Sequence, residues 1–198
     1  MKKEFQRTLA MGCVVLLATG VALLWSRDSP RGVETGFADI ALEDYGTITV
    51  ALAGDAAPET VSNFVSLARG GFYNGLTIYR AVAGFLMQGG APNQDGTGGS
   101  GMTIAGEFSQ NGFDNPLSHT RGAISMARGE DYNSASSQFF IVQEDSTYLD
   151  GSYAVFGYVV AGMEVVDQIC DDARPVDASG NLAAADQPVI DSVTIWGG

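Results

Sequence analysis

The sequence predicts a mainly β fold, a closed antiparallel barrel with helices over its open ends. Short β-type runs recur along the chain after residue 36, two stretches switch to helical spacing, and the order of these elements leaves the strands in the majority.

Phe37–Leu42 and Thr47–Leu52 show β-branched residues in partial alternation on either side of Asp44-Tyr45-Gly46, which reads as a strand pair around a turn. Pro58 then opens a run in which Val61, Phe64, Val65 and Ala68 recur at three and four residues. Proline in the first turn, Glu59 beside it and Gly70-Gly71 at the end predict an amphipathic helix. Leu76 to Gln88 returns to β-type segments broken at Gly84, Gly122–Met126 and Ser137–Val142 add two more, and Tyr153–Val160 is a further strand. Gly162–Cys170 takes helical spacing, with Met163, Val166 and Ile169 on one face, and Val189–Trp196 closes the chain as a strand.

At 198 residues and 45% hydrophobic content, the chain has material for one sizeable core. Its first residues differ in kind. Lys2, Lys3 and Arg7 precede an uncharged, almost wholly apolar run over residues 8–25, which reads as a targeting or anchoring segment. Residues 9–25 are about as long as the lower limit for spanning a bilayer, roughly 17 residues. Trp25-Ser26-Arg27-Asp28 forms an interfacial exit that favours a retained anchor, whereas Ala18-Thr19-Gly20 offers a cleavage site for a removable signal peptide. In both readings the basic start stays cytoplasmic and the domain is extracytoplasmic, on the periplasmic side. Cys13 does not read as a lipoprotein cysteine, because most of the apolar run follows it. The expected organisation is therefore residues 1–25 as signal-anchor or signal peptide, 26–36 as a linker rich in charge, Gly, Ser and Pro, and 37–198 as one domain.

From Gly32 onward the chain holds five arginines, no lysine and 21 acidic residues, a net charge of −16. Nucleic acid is excluded as a partner, since phosphate binding needs the opposite sign. The absence of lysine fits adaptation to salty surroundings, and equally an acidic surface that favours solubility. His119 and Cys170, alone of their kinds in the domain, cannot build a usual zinc site, so neither metal nor cofactor is expected. Gly96-Thr-Gly-Gly-Ser-Gly101 lacks the Lys-Ser/Thr ending of a phosphate loop and leads into no helix; it reads as a mobile loop that lets backbone approach a ligand.

The informative segments run from Gly71 through Ile78-Tyr-Arg80 and Phe85-Leu-Met-Gln88 to Gly90, then Ser125-Met-Ala-Arg128, Ser136-Ser-Gln-Phe-Phe-Ile141, Tyr148-Leu-Asp-Gly151 and Ala154-Val-Phe-Gly157. In this order they closely resemble the cyclophilin family of peptidyl-prolyl cis/trans isomerases, over about Phe37 to Trp196. The resemblance implies an eight-stranded antiparallel barrel capped by two helices, working as a monomer on proline-containing polypeptides bound in a groove on its outer wall. It places the catalytic arginine on Arg80 and the proline pocket on Phe85, Leu86, Phe140 and Leu149. The polar groove residues fall on Gln88, assigned a catalytic part, and Gln138, and the backbone-binding edge on Ala127 and Arg128. Tyr148 and Tyr153 stand where many members carry tryptophan and histidine, and complete the expected substrate-binding set. Leu86 replaces the usual methionine at similar volume. Arg128 replaces asparagine, a charge expected to shift preference toward acidic residues before the proline. Tyr79 stands where histidine is common, with no evident catalytic consequence. His119 matches a position that is not catalytic and reads as structural.

The chemistry accounts for these residue types. Rotation about an X-Pro bond is opposed by partial double-bond character, a barrier of roughly 18–20 kcal/mol. A catalyst needs a dry pocket for the ring, a grip on the chain, and a cationic donor for the lone pair that the nitrogen gains as the amide twists. An arginine supplies that donor. The rival reading is a chaperone-like module that binds proline peptides with little catalysis, and retention of Arg80, Phe85, Gln88 and Phe140 together counts against it.

Overall fold

In the computed structural model, which describes residues 36–197, the expected segment 1–25 and residues 26–35 of the linker lie outside the described residues. Eight strands form a single antiparallel sheet: β1 (Phe37–Leu42), β2 (Gly46–Leu52), β3 (Thr77–Val82), β4 (Leu86–Ala91), β5 (Ala123–Met126), β6 (Phe139–Val142), β7 (Ala154–Ala161) and β8 (Ile190–Trp196). Their order across the sheet is β3-β4-β6-β5-β7-β2-β1-β8. Two helices, α1 (Pro58–Arg69) and α2 (Met163–Asp172), accompany it among the described residues. None of these helices is long and apolar enough to cross a membrane.

Strand alternation sorts the side chains into two sets. Met87, Ile124, Met126, Phe139, Ile141 and Phe156 face the main core, where Phe64 of α1 lies 5.2 Å from the ring of Tyr73, 5.8 Å from Phe139 and 5.2 Å from Phe156. Leu86, Ala123, Phe140, Val142 and Val155 face outward into a second, smaller apolar cluster.

The sheet curls, but it is a half-barrel rather than the fully closed barrel expected. Its edge strands meet at one bridge, Thr77 to Val189, flanked by bonds from Ile190 N–H to Leu76 O and from Ile78 N–H to Pro188 O. Beyond that point β3 has another neighbour: Ala81 N–H donates to Gly180 O and Leu182 N–H to Tyr79 O. A short excursion over residues 175–182 thus occupies the edge that β8 would need for a continuous ladder.

The N-cap of α1 is Ala57, which supplies no capping side chain. Its first amides are satisfied from far along the chain: Glu59 N–H and Thr60 N–H donate to the two carboxylate oxygens of Glu107 at 3.0 and 2.8 Å. A buried anion at a helix N-terminus satisfies free donors and complements the helix dipole.

Candidate active site

Strand register assembles the site. Arg80 on β3 pairs with Gln88 on β4, Gln88 with Phe140 on β6, and Phe140 with Ser125 on β5. Directly paired residues point to the same face, so four strands deliver these side chains in a row on the outer wall. Leu86, two residues from Gln88, shares that face and is buried, and Phe85 at the β3–β4 turn, Leu149 on the 3-10 turn Thr147–Leu149, Ala127 and Tyr153 pack against the same cluster. Tyr153 meets Phe140 edge-on at 5.7 Å, and Tyr148, 72% exposed, stacks on Phe85 at 6.1 Å. The result is an apolar floor with an aromatic rim.

Arg80 stands beside this floor, its guanidinium 5.8 Å from the Phe85 ring centroid. Nε donates to the Ser179 carbonyl at 2.7 Å and Nη1 donates to Gln88 Oε1 at 3.0 Å. The loop that presents Ser179 is itself braced: Asp177 accepts from the N–H groups of Ser179 and Asn181 and from the Asn181 amide. Gly180 has φ +90°, and a Cβ there would lie 2.3 Å from Val82, so the loop can lie against β3 only with glycine at this point.

On its other side Gln88 joins a chain of side chains. Gln88 Nε2 donates to the Tyr79 hydroxyl, which donates to Gln138 Oε1 at 2.7 Å, and Gln138 Nε2 donates to the carbonyls of Gly96 and Gly98 at 3.0 and 2.9 Å. Burial pushes the Tyr79 phenol up to about 12, with Arg80 beside it pulling the other way. The glycine-rich loop is therefore tied down here, and its open backbone serves close approach to Tyr79, whose ring would lie 2.4 Å from a Cβ at Gly96. A cavity of about 420 Å³ opens over this chain, lined by Tyr79, Gln88, Gln138, Ser136, Ala127 and Arg128. A separate cavity of about 410 Å³, whose lining includes Glu43, Asp44, Asp172, Arg174 and Asp186, shares no residue with it.

Arg128 lines the same cavity and is tied to the domain by its own side chain. Its Nε donates to Ser152 O and its Nη1 to Gly129 O, and the guanidinium sits 4.8 Å from Tyr153, 4.8 Å from Tyr132 and 5.2 Å from Phe108. Nε and Nη1 thus bond to the domain's own carbonyls, and the guanidinium packs against Tyr153. Ala127 N–H is likewise taken, by the Gln138 carbonyl.

His119 lies beneath the floor, fully buried and stacked on Phe140 at 5.8 Å. Nδ1 lies 2.7 Å from Asp150 Oδ1, and Nε2 lies 3.0 Å from Ser125 Oγ. The order Asp–His–Ser resembles a nucleophilic triad, but Ser125 is fully buried and no substrate reaches it. Burial holds His119 below its usual pKa, outweighing the opposite pull of Asp150.

The fold thus brings together Arg80, Gln88, Phe85, Leu86, Phe140, Leu149, Tyr148 and Tyr153, and places Gln138 behind Gln88. The sequence reading gives Tyr79 no catalytic consequence and does not single out Ser179. The first adjoins Arg80 and is a hydroxyl-bearing departure from the usual histidine; the second acts through a backbone carbonyl, which no residue type announces.

Comparison with known proteins points the same way. The family "Cyclophilin type peptidyl-prolyl cis-trans isomerase/CLD" matches residues 37–195. The chain is 47% identical to peptidyl-prolyl cis-trans isomerase B of Bacillus subtilis over 133 residues, 67% of this chain and 87% of that one. It is 45% identical to a peptidyl-prolyl cis-trans isomerase of Helicobacter pylori over 139 residues, 69% of this chain and 81% of that one. The crystal structure of a cyclophilin type isomerase of Cryptosporidium parvum superimposes with a TM-score of 0.72 at 26% identity, covering 83% of this chain and 99% of that one. The same protein in the presence of the dipeptide Ala-Pro gives 0.71.

Proposed function

Since the chain belongs to the cyclophilin-type peptidyl-prolyl cis-trans isomerase family and is an enzyme of that class, we propose that it turns X-Pro bonds through Arg80, in proteins that fold outside the cytoplasm. The reading rests chiefly on one observation: a guanidinium held from two sides, by Ser179 O and Gln88, at the edge of an apolar floor.

The proline ring settles on Phe85, Leu86, Phe140 and Leu149, walled by Tyr148 and Tyr153, which removes water from around the bond. The chain before the proline runs past Ala127 and Arg128. As the amide twists, conjugation is lost and its nitrogen gains a lone pair that an N–H of Arg80 meets. No covalent bond is made or broken, so the whole effect is tighter binding of the twisted amide than of the planar one. A thousandfold acceleration corresponds to about 4 kcal/mol. A charge-assisted hydrogen bond contributes roughly 1.5–3 kcal/mol, more with water excluded. Arg80 therefore supplies much of the effect, and Gln88 with the backbone contacts supplies the remainder.

Two features of the sequence support an exported role: the basic start with the apolar run over residues 8–25, and the acidic, lysine-free domain. The enzyme is in this reading a monomer, anchored in the inner membrane or released to the periplasm.

The test is cis-to-trans relaxation of a short X-Pro peptide at low temperature. The full chain accelerates it, and Arg80→Ala lowers kcat/KM by a hundredfold or more while the fold persists. An Arg80→Ala chain as fast as the parent refutes the arginine mechanism. A folded parent that binds proline peptides without accelerating them would leave the chaperone-like alternative.

A further inference from the structure

The direction of every bond in the side-chain network behind Arg80 is determined by its two ends. At one end stands a guanidinium, which only donates; at the other stand the carbonyls of Gly96 and Gly98, which only accept. Between them lie two amides, each able to flip and exchange its oxygen for its nitrogen, and one hydroxyl. With Gln138 Nε2 on the carbonyls, its Oε1 must receive a donor, and Tyr79 provides one at 2.7 Å. The Tyr79 oxygen is thereby turned to accept from Gln88 Nε2, and this leaves Gln88 Oε1 facing Arg80. A flipped Gln88 would set N–H against N–H at the guanidinium.

We propose that Tyr79 is a positioning residue of the isomerase: its hydroxyl sets the orientation of the Gln88 amide and so holds Arg80 in its working place. The inference rests on the reading of Arg80 given above. Tyr79 lies one residue before Arg80 on β3, is buried, and contacts the loop at Gly96 through its ring. Removing the hydroxyl leaves that packing intact. It leaves Gln88 Nε2 with Gln138 Oε1 alone, at 3.3 Å, a longer and weaker hold on the amide that faces Arg80. The phenol stays protonated at neutral pH, so the chain keeps its direction wherever the enzyme works.

The experiment measures kcat and KM for an X-Pro peptide with the full chain and its Tyr79→Phe, Gln88→Ala, double and Arg80→Ala variants, with the denaturation midpoint of each as a folding control. Tyr79→Phe is expected to lower kcat about tenfold with KM within twofold of the parent. In the Gln88→Ala background the same change is expected to cost nothing further, because the group it orients is gone. Gln138→Leu, which removes the acceptor of Tyr79 without touching Tyr79, is expected to lower kcat in the same way. An unchanged kcat in Tyr79→Phe, or an equal loss with and without Gln88, overturns the proposal. If Arg80→Ala abolishes turnover while Tyr79→Phe does not alter it, the Tyr79 role falls and the arginine mechanism stands. If Arg80→Ala is as fast as the parent, both fall.

Discussion

With the ring of His119 neutral, both nitrogens are satisfied: Nδ1–H donates to Asp150 and Ser125 Oγ–H donates to Nε2. Burial resists a proton there, and the folded pKa lies below the usual 6.5. Above 6.5 the folded and unfolded chains are both neutral at this site and the linkage vanishes. As pH falls through 6.5 the unfolded chain takes up a proton that the folded chain refuses, so stability declines until the folded pKa is reached. Asp150 acts lower down. Burial pushes its pKa up, but bonds from Ser118 and His119 prevail and hold it below 3.8, so its contribution is present above 3.8 and lost as pH falls through the folded value. Chemical denaturation between pH 8 and 5 is expected to show a fall in stability beginning near 6.5, absent in His119→Gln. A flat profile for the parent contradicts this account. The sequence pointed to a structural histidine, and the ring is buried, but neither the burial that makes it pH-sensitive nor its partners six and 31 residues away had a local signal.

Helix α1 shows how an element depends on a distant residue. Periodicity, Pro58 and the closing glycines located it, and Val61, Phe64, Val65 and Ala68 are buried as expected. Its N-terminus had no legible cap, because the cap is Glu107, which sits 48 residues from Glu59 in a loop. Glu107→Ala leaves two amides without their acceptor, and a loss of roughly 1.5–3 kcal/mol follows from the charged hydrogen bonds removed. Urea denaturation reads that loss as a lower midpoint with unchanged slope. Glu107→Gln keeps one acceptor and is expected to fall between. Turnover per folded molecule should stay near the parent's, since Glu107 is absent from the groove. The strand edges show a similar dependence: β3 read as an ordinary strand, yet the 175–182 excursion beside it both interrupts the barrel seam and presents Ser179 to Arg80.

For the molecule as a whole, the proposed arrangement is an acidic isomerase domain behind an N-terminal anchor. Intact mass of the natively produced protein tests it: a full-length mass in the membrane fraction supports a retained helix, and a mass shortened by the first 18 to 20 residues in the soluble fraction supports cleavage. A full-length protein found in the cytosolic fraction refutes export. Much of the architecture was determined by the sequence itself, because strand alternation, helical spacing and turn residues are local properties. The separated motifs also marked out Arg80, Gln88 and the pocket residues. Tertiary structure alone decided how these parts work together. It placed Arg80, Gln88, Phe140 and Ser125 in one row across four strands, turned Arg128 onto Tyr153, and made Tyr79 the link between a glycine loop and the arginine. The physical reason is that hydrogen bonds and strand register join atoms without regard to sequence separation. Arg80 and the Ser179 carbonyl are 99 residues apart, and a backbone carbonyl looks the same in any residue.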